Sequence, residues 1–262
     1  MRNKVLVCPI LCIDIGNTTC RSGVWSDGCI SEEKTVSTNE FKSCVETWID
    51  EWKGNGKIAF CSVVPEAEKC LQLHLGSRKL QAFRLTALNQ SLLPVKYPKP
   101  EEIGADRIAN SFAVFRKYDL PAVVIDLGTA TTFDVVTESD GYKGGVILPG
   151  PQGMLDYLGN KTALLPQIEL TKISRSGRAI GQNTQAAMAS GIINGYVPMI
   201  QGVLCAIERE LEQEGKVLET VVQTGGESKN FHMKGATIHP NLTLEGLALA
   251  CLEQQAIVAH EC

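Results

Sequence analysis

Runs of lysine and arginine are missing from this chain of 262 residues, whose 25 basic and 29 acidic side chains leave a formal charge of −4. A nucleic-acid surface needs a concentrated basic face to neutralise phosphates, so no nucleic-acid partner is expected. No apolar run approaches the length that crosses a bilayer, and no membrane partner is expected either. The opening MRNKVLVCPILCIDIG has basic residues before a short apolar run, but Asp14 interrupts it and no small-residue cleavage site follows. It is not read as a signal peptide, and the expectation is a cytoplasmic protein. No CxxC pair occurs among the ten cysteines, which are scattered along a chain with ample core-forming residues. Cys12, Cys44, Cys61, Cys205 and Cys251 sit inside apolar segments, where a free thiol packs as a small hydrophobe. Neither the P-loop signature GxxxxGKS/T nor the dinucleotide fingerprint GxGxxG is present.

A composition that is 44% hydrophobic supports one large core or two smaller ones. Short apolar runs that end in turn residues alternate with helical patterns. ILCIDIG and CRSGVW read as strands, and Phe41, Cys44, Val45, Trp48, Ile49 and Trp52 follow at helical spacing on one face. KIAFCSVV is a strand stopped by Pro65, with Cys70, Leu71 and Leu75 on one face of the next helix. PAVVIDLG, TTFDVVT and KGGVILPG form three consecutive strands, and TVVQTGG a later one. The class is α/β.

The chain also echoes itself. CIDIGNTTCRSGVW, residues 12–25, aligns with VIDLGTATTFDVV, residues 124–136: Ile13 with Ile125, Asp14 with Asp126, Gly16 with Gly128 and Thr19 with Thr131 coincide at one offset. Both copies read as strand, acid-x-glycine turn, hydroxyl-rich residues and second strand, which duplication explains. A turn glycine admits a ligand to the backbone, successive amides there can point into one concavity, and threonine adds neutral donors. This combination suits phosphate oxygens. An acid in such a turn makes sense if it holds a cation, or that cation's water shell, against the phosphates. Taken singly, each copy reads rather as an ordinary hairpin whose Asp caps local amides. Two copies sharing acid, glycine and threonine favour a polyphosphate cradle.

DIGNT at 14–18 and DLGTATTFD at 126–134 resemble the phosphate hairpins of the actin, sugar-kinase and acetate-kinase superfamily. KYP at 96–98, GADR at 104–107, GGVILPG at 144–150, GQNT at 181–184, SGIINGY at 190–196 and TGG at 224–226 resemble, in order, type III pantothenate kinase. The resemblance runs from Ile13 to Leu252. It implies a duplicated ribonuclease H-like (actin-like ATPase) fold, with two domains, 1–115 and 116–262, and a cleft between them. It implies ATP-dependent phosphorylation of pantothenate at its primary hydroxyl, the first step of coenzyme A synthesis.

Carried onto this sequence, the resemblance makes Asp106 the general base, within a segment Gly104, Ala105, Asp106 and Arg107 that meets pantothenate. From the residues alone, Asp106 and Arg107 read as an ion pair at a helix start. Asp14, Ile15, Gly16, Asn17, Thr18, Thr19, Cys20 and Arg21 match the first ATP hairpin, with Asp14 organising Mg²⁺ through water. Thr129 matches an ATP contact on the second hairpin, and Asp126 a ligand of a monovalent cation, K⁺ or NH₄⁺. Asp134 is read as structural. Tyr97 matches a substrate contact; it also reads as a half-buried aromatic between two prolines. Thr184 matches a contact to the substrate of a neighbouring subunit, implying a homodimer with composite active sites, while Asn183 or Thr184 also suits a helix cap. Gly191 and Gly195 permit close helix contact, across a dimer or within one core.

Pro151 and Gly153 stand where a regular helix start is expected, so an altered loop after Gly150 is anticipated. The segment 1–9 reads as an extension, Trp25 has no assigned role, and His74, His232, His239 and His260 are read as structural or solvated. The alternative function is a regulatory member of the same fold that binds a nucleotide or pantothenate without transfer. A kinase or phosphatase of the superfamily with another substrate is a third reading, against which GADR and Tyr97 argue.

Overall fold

Short apolar segments, buried almost continuously in the central strands, organise the chain around two five-stranded sheets in the computed structural model, which describes residues 8–52, 56–90, 92–173 and 178–260. The first sheet contains β1 (Ile10–Ile15), β2 (Thr19–Ser26), β3 (Cys29–Ser37), β4 (Lys57–Ser62) and β5 (Ala82–Arg84) in the order β3-β2-β1-β4-β5. β1 to β3 form an antiparallel meander, and β4 joins β1 in parallel after a crossover through α1 (Thr38–Asp50). The chain continues through α2 (Pro65–Ser77) and α3 (Ala105–Lys117). The second sheet repeats the plan, with β6 (Ala122–Leu127), β7 (Ala130–Thr137), β8 (Gly141–Pro149), β9 (Thr220–Thr224) and β10 (Thr237–Ile238) ordered β10-β9-β6-β7-β8. Between β8 and β9 lie α4 (Pro151–Lys161) and α5 (Thr184–Gln213), and α6 (Leu242–His260) closes the chain.

Two compact units result: Met1–Tyr118 with Val136–Gly144 and Asn241–Cys262, and Asp119–Val135 with Gly145–Pro240. In the first, Ser37 caps α1 by accepting from the Glu40 amide at 3.1 Å, and Phe41, Val45, Trp48 and Ile49 drive the helix onto Ile13, Ile15 and Phe60. β3 is an edge strand whose Glu32, Glu33 and Lys34 are exposed, a composition that discourages further strand pairing. α6 lies against α3 so closely that a Cβ at Gly246 would sit 1.9 Å from the Ala109 carbonyl oxygen. In the second unit, Val123, Ile125, Leu127, Phe133 and Val135 pack beneath Met188, Ile192, Tyr196 and Ile200 of α5.

Four expectations change. No altered loop follows Gly150: α4 begins at once, because Pro151 occupies the first helical turn, where its missing N–H costs no hydrogen bond. Cys205 is exposed rather than packed in the core, being on the outer face of α5. α5 is also long and apolar enough, by length and composition, to cross a bilayer, contrary to the expectation that no run is. Its Ile192, Tyr196, Ile200, Ile207 and Leu211 are instead buried against the second sheet's core, and Pro198 lies within it. Trp52, expected on α1, lies beyond its end but still packs against that core. Trp25 finds a place on β2 opposite Ile10, only 7% exposed. Residues 1–7 of the extension, and the His260 side chain, lie outside the described residues.

Candidate active site

The first hairpin owes its shape to a short-range hydrogen bond, from the Gly16 amide to the Thr19 carbonyl at 3.0 Å. Thr38 at the start of α1 clamps it: the hydroxyl donates to the Gly16 carbonyl at 2.7 Å, and the Thr38 amide to the Thr18 carbonyl at 3.0 Å. Asn17, Thr18 and Thr19 are exposed at the tip. Ile15 and Cys20 turn fully inward, so only their backbone can meet a ligand. Arg21 is occupied by Asn241 at 2.8 Å and Glu33 at 3.5 Å.

Asp14 ends β1 next to β4, where the Cys61 thiol donates to its Oδ1 across 3.4 Å. Burial, reinforced by Asp14 and Asp106, pushes the Cys61 thiol well above its ordinary range, keeping it a protonated donor. Asp106 stands in the first turn of α3, its Oδ1 accepting from the Arg107 amide at 2.8 Å. Burial raises its carboxyl above the usual carboxylate range, opposed by that amide and by the Arg107 charge. A Cβ at Gly104 would sit 2.5 Å from Asp106 Oδ1, so a side chain there would displace the carboxylate from this position. The first unit thus holds two carboxylates, Asp14 and Asp106, that both act on one buried thiol. It also gathers Tyr97 and Arg107 about Tyr142: the two tyrosine rings meet edge to face at 5.9 Å, and the Arg107 guanidinium lies 5.7 Å from the Tyr142 centroid.

In the second unit the Gly128 amide donates to the Ala130 carbonyl at 3.0 Å, and Thr129 is exposed at the tip. The Thr129 carbonyl accepts from Gly150 at 3.1 Å, tying the turn to the start of α4. Asp126 ends β6 opposite Thr224 of β9. Gly225 follows at φ +91°, and a Cβ there would lie 2.4 Å from Asp126 Oδ1. Only glycine therefore fits here without displacing the carboxylate or the Leu127 carbonyl, which lies 2.5 Å from the same Cβ. Thr131 shares a short, fully buried hydrogen bond of 2.5 Å with the Tyr196 hydroxyl, whose pKa burial pushes up to about 12. Asp134 is completely buried on β7, away from the turn. Thr184 opens α5 exposed, and Asn183 does the capping by accepting from the Ala186 amide at 2.8 Å. His74 is buried, with its Nε2 3.4 Å from Asp50 Oδ1. Among the described residues no group of three or more His, Cys, Asp and Glu is assembled to hold a metal by itself.

Sequence reasoning missed Cys61 as a partner of Asp14, Thr38 as the hairpin clamp and Tyr142 as the ring against which Tyr97 and Arg107 stand. Each contact joins residues distant in sequence, so no local pattern signals it. GGVILPG came close, since Tyr142 stands two residues before its first glycine.

Paired strand-turn-strand phosphate hairpins on duplicated sheets define the actin-like ATPase and sugar-kinase class of fold. Solved structures agree: a ROK family glucokinase from Streptomyces griseus, solved with glucose and AMPPNP, superimposes with a TM-score of 0.56 at 11% identity over 93% of this chain and 99% of its own. A ROK hexokinase from Thermus thermophilus gives 0.52 at 13% over 95% and 99%. A conserved Campylobacter jejuni protein assigned to the Baf family of transcriptional activators gives 0.60 at 22% over 94% and 99%. Within this class the chain belongs to the type III pantothenate kinase family, whose model matches residues 10–206. Type III pantothenate kinases from Sulfurihydrogenibium sp. and Bacillus cytotoxicus are 35% and 33% identical, covering 84% and 96% of this chain and 89% and 98% of their own lengths.

Proposed function

We propose that this chain transfers the γ-phosphoryl group of ATP to the primary hydroxyl of pantothenate, with Asp106 as general base. The observation that carries this reading is the Asp106 carboxylate itself: partly buried, raised in pKa, and held in the first turn of α3 by the Arg107 amide. A base of this kind, poised nearer neutrality than a free aspartate, accepts the hydroxyl proton as the new oxygen–phosphorus bond forms and ADP departs. Gly104, Ala105, Arg107 and Tyr97 orient pantothenate, Arg107 through its fork of N–H donors. The amides and hydroxyls of residues 14–21 and Thr129 bind the phosphates. Asp14, braced by Cys61, would sit in the outer shell of Mg²⁺, and Asp126, lying against the Gly225 backbone, would hold K⁺ or NH₄⁺. These cations supply neutralisation of phosphate charge. The duplication is assigned to the sequence halves 1–115 and 116–262, although the compact units exchange 136–144 and 241–262 across that division.

A homodimer with Thr184 reaching the neighbour's substrate is part of this reading. Its support is the uncharged outer face of α5, where Ala187, Gly191, Gly195, Pro198, Gly202 and Cys205 are exposed. An apolar groove of about 670 Å³ between α4 and α5, lined by Met154, Tyr157 and Gly191, continues that face. The enzyme is placed in the cytoplasm as a soluble metabolic kinase. Likeness to a Baf family protein at 22% identity speaks for fold alone, so the regulatory reading gains no ground.

The test is an ADP-release assay with purified chain, ATP, Mg²⁺ and K⁺, with and without pantothenate. Pantothenate-dependent ADP release is expected. ADP release indifferent to pantothenate would refute the assignment.

A further inference from the structure

Tyr142 opens β8 with a ring only 1% exposed, although no motif or charge marks it in the sequence. Its backbone is fastened to the substrate segment on both sides: the amide donates to the Pro94 carbonyl at 2.9 Å, and the carbonyl accepts from the Lys96 amide at 3.2 Å. The residue two positions earlier strengthens the attachment. Asp140, 7% exposed, binds Lys96 Nζ at 3.2 Å and receives no slack from its own turn, because its amide donates to Thr137 Oγ1 at 3.1 Å. Strand and substrate segment are thereby locked in register, and the ring is left with one direction in which to point. The Arg107 guanidinium carbon lies 5.7 Å from the ring centroid, and the Tyr97 ring meets it edge to face at 5.9 Å and 66°. Tyr97 precedes α3 and Arg107 lies in its first turn, so nothing local in the chain sets one against the other.

We propose that Tyr142 is a positioning residue for pantothenate recognition: its ring is the shelf on which Arg107 and Tyr97 are set. The proposal rests on the reading of Arg107 and Tyr97 as pantothenate contacts. Two features of an aromatic ring make the shelf work. The negative face attracts the guanidinium and restrains its plane, while the ring accepts the positive edge of a second aromatic. The Tyr142 ring is itself withdrawn from water, while Arg107 and Tyr97 are half-buried against it. An arginine restrained in this way loses less side-chain freedom when its fork takes a carboxylate or hydroxyl. The shelf acts on the substrate end of the first unit; the ATP hairpin there is braced separately by Thr38 and Cys61.

Ring electronics can be varied without changing volume. Phenylalanine at position 142, followed by its progressively fluorinated analogues, keeps the shape while draining the negative face. Tyr142→Phe should keep the pantothenate KM within about threefold of wild type. Each further fluorination should raise it, to roughly tenfold for the fully fluorinated ring, with the ATP KM changed less than about twofold. Tyr142→Met, which fills the space without a π face, should match the fluorinated limit; its melting curve and nucleotide binding report that the fold persists. Combined with Arg107→Gln, the Met substitution should add little to the KM of Arg107→Gln alone, since both remove one interaction. A flat fluorination series, or fully additive effects in the double variant, would overturn the shelf while leaving Arg107 as a contact. An Arg107→Gln variant with wild-type pantothenate KM would overturn the reading of Arg107 and the shelf with it.

Discussion

The two halves of this chain lay down the same strands twice. β1 and β6 are six residues long with identical burial along their length, β2 and β7 eight residues, and β3 and β8 nine. The fourth strand of each half returns parallel to the first and aligns Cys61 with Asp14 and Thr224 with Asp126. At those equivalent positions the chemistry parts company. Asp14 receives a thiol hydrogen bond that fixes its carboxylate. Asp126 instead faces the bare backbone of Gly225, and the Thr224 hydroxyl beside it has no hydrogen-bond partner among the described residues. A braced carboxylate suits an outer-shell role toward a small divalent ion that keeps its water. The different neighbours of Asp126 are the ground on which the two acids are proposed to serve different cations. One hairpin plan thus carries its acid in two different surroundings, set by the residues at the end of the neighbouring parallel strand.

The largest expected effect lies outside the symmetry, at Asp106, for which the second half has no counterpart in sequence. Asp106→Asn should lower kcat by roughly 10²–10⁴-fold, read in the ADP-release assay. The same carboxyl has its pKa raised in the folded protein by burial, so folding favours its protonated form. That contribution to stability is present at low pH and is lost as pH rises through the folded value. Asp106→Asn should therefore raise the melting temperature at neutral pH while leaving it nearly unchanged in acid. For the native enzyme, the acid limb of the kcat/KM profile should fall above the range of a free aspartate, because the base must be ionised.

Next come the paired acids. Asp14→Asn should cost on the order of 10³-fold in kcat, and Asp126→Asn about 10–100-fold together with the loss of any preference for K⁺ over Na⁺. Equal losses, or an unaltered cation preference in the Asp126 variant, would erase the distinction between the halves. Gly225→Ala combines a positive φ with a clash at Asp126 and should destabilise by about 1–2 kcal/mol, with a weakened K⁺ response, in thermal melts run with K⁺ and Na⁺. Cys61→Ala should raise the Mg²⁺ concentration for half-maximal rate about threefold, with Cys61→Ser recovering most of it, because serine restores a donor to Asp14. Smallest is Thr224→Val, which replaces a buried hydroxyl with a methyl of similar shape and should leave stability within about 1 kcal/mol of wild type or slightly improve it.

Much of this was legible in advance where the signal is local. The strands holding both hairpins follow from apolar runs ended by Asp-x-Gly, and α1 from the spacing of Phe41, Val45, Trp48 and Ile49. The helix cap at Asn183 was one of two options until its bond to the Ala186 amide distinguished them. Pro151 misled because proline breaks a helix interior but opens a first turn, and only the position decides which. Cys205 misled because its neighbours are apolar on all sides of α5, so sequence hydrophobicity could not tell the inner face from the outer.

By itself the sequence determined the strand-turn-strand units, their duplication and the acids at their tips, since these depend on residues a few positions apart and on the backbone freedom of glycine. The family motifs it carries likewise identify the chain's kinase lineage. Only the tertiary structure decided what stands beside each acid: Cys61 on Asp14, Gly225 on Asp126, and Tyr142 beneath Arg107 and Tyr97. Such neighbours are assigned by parallel strand register and by the docking of distant segments. Those are set by the collective burial of both cores rather than by any stretch of chain on its own.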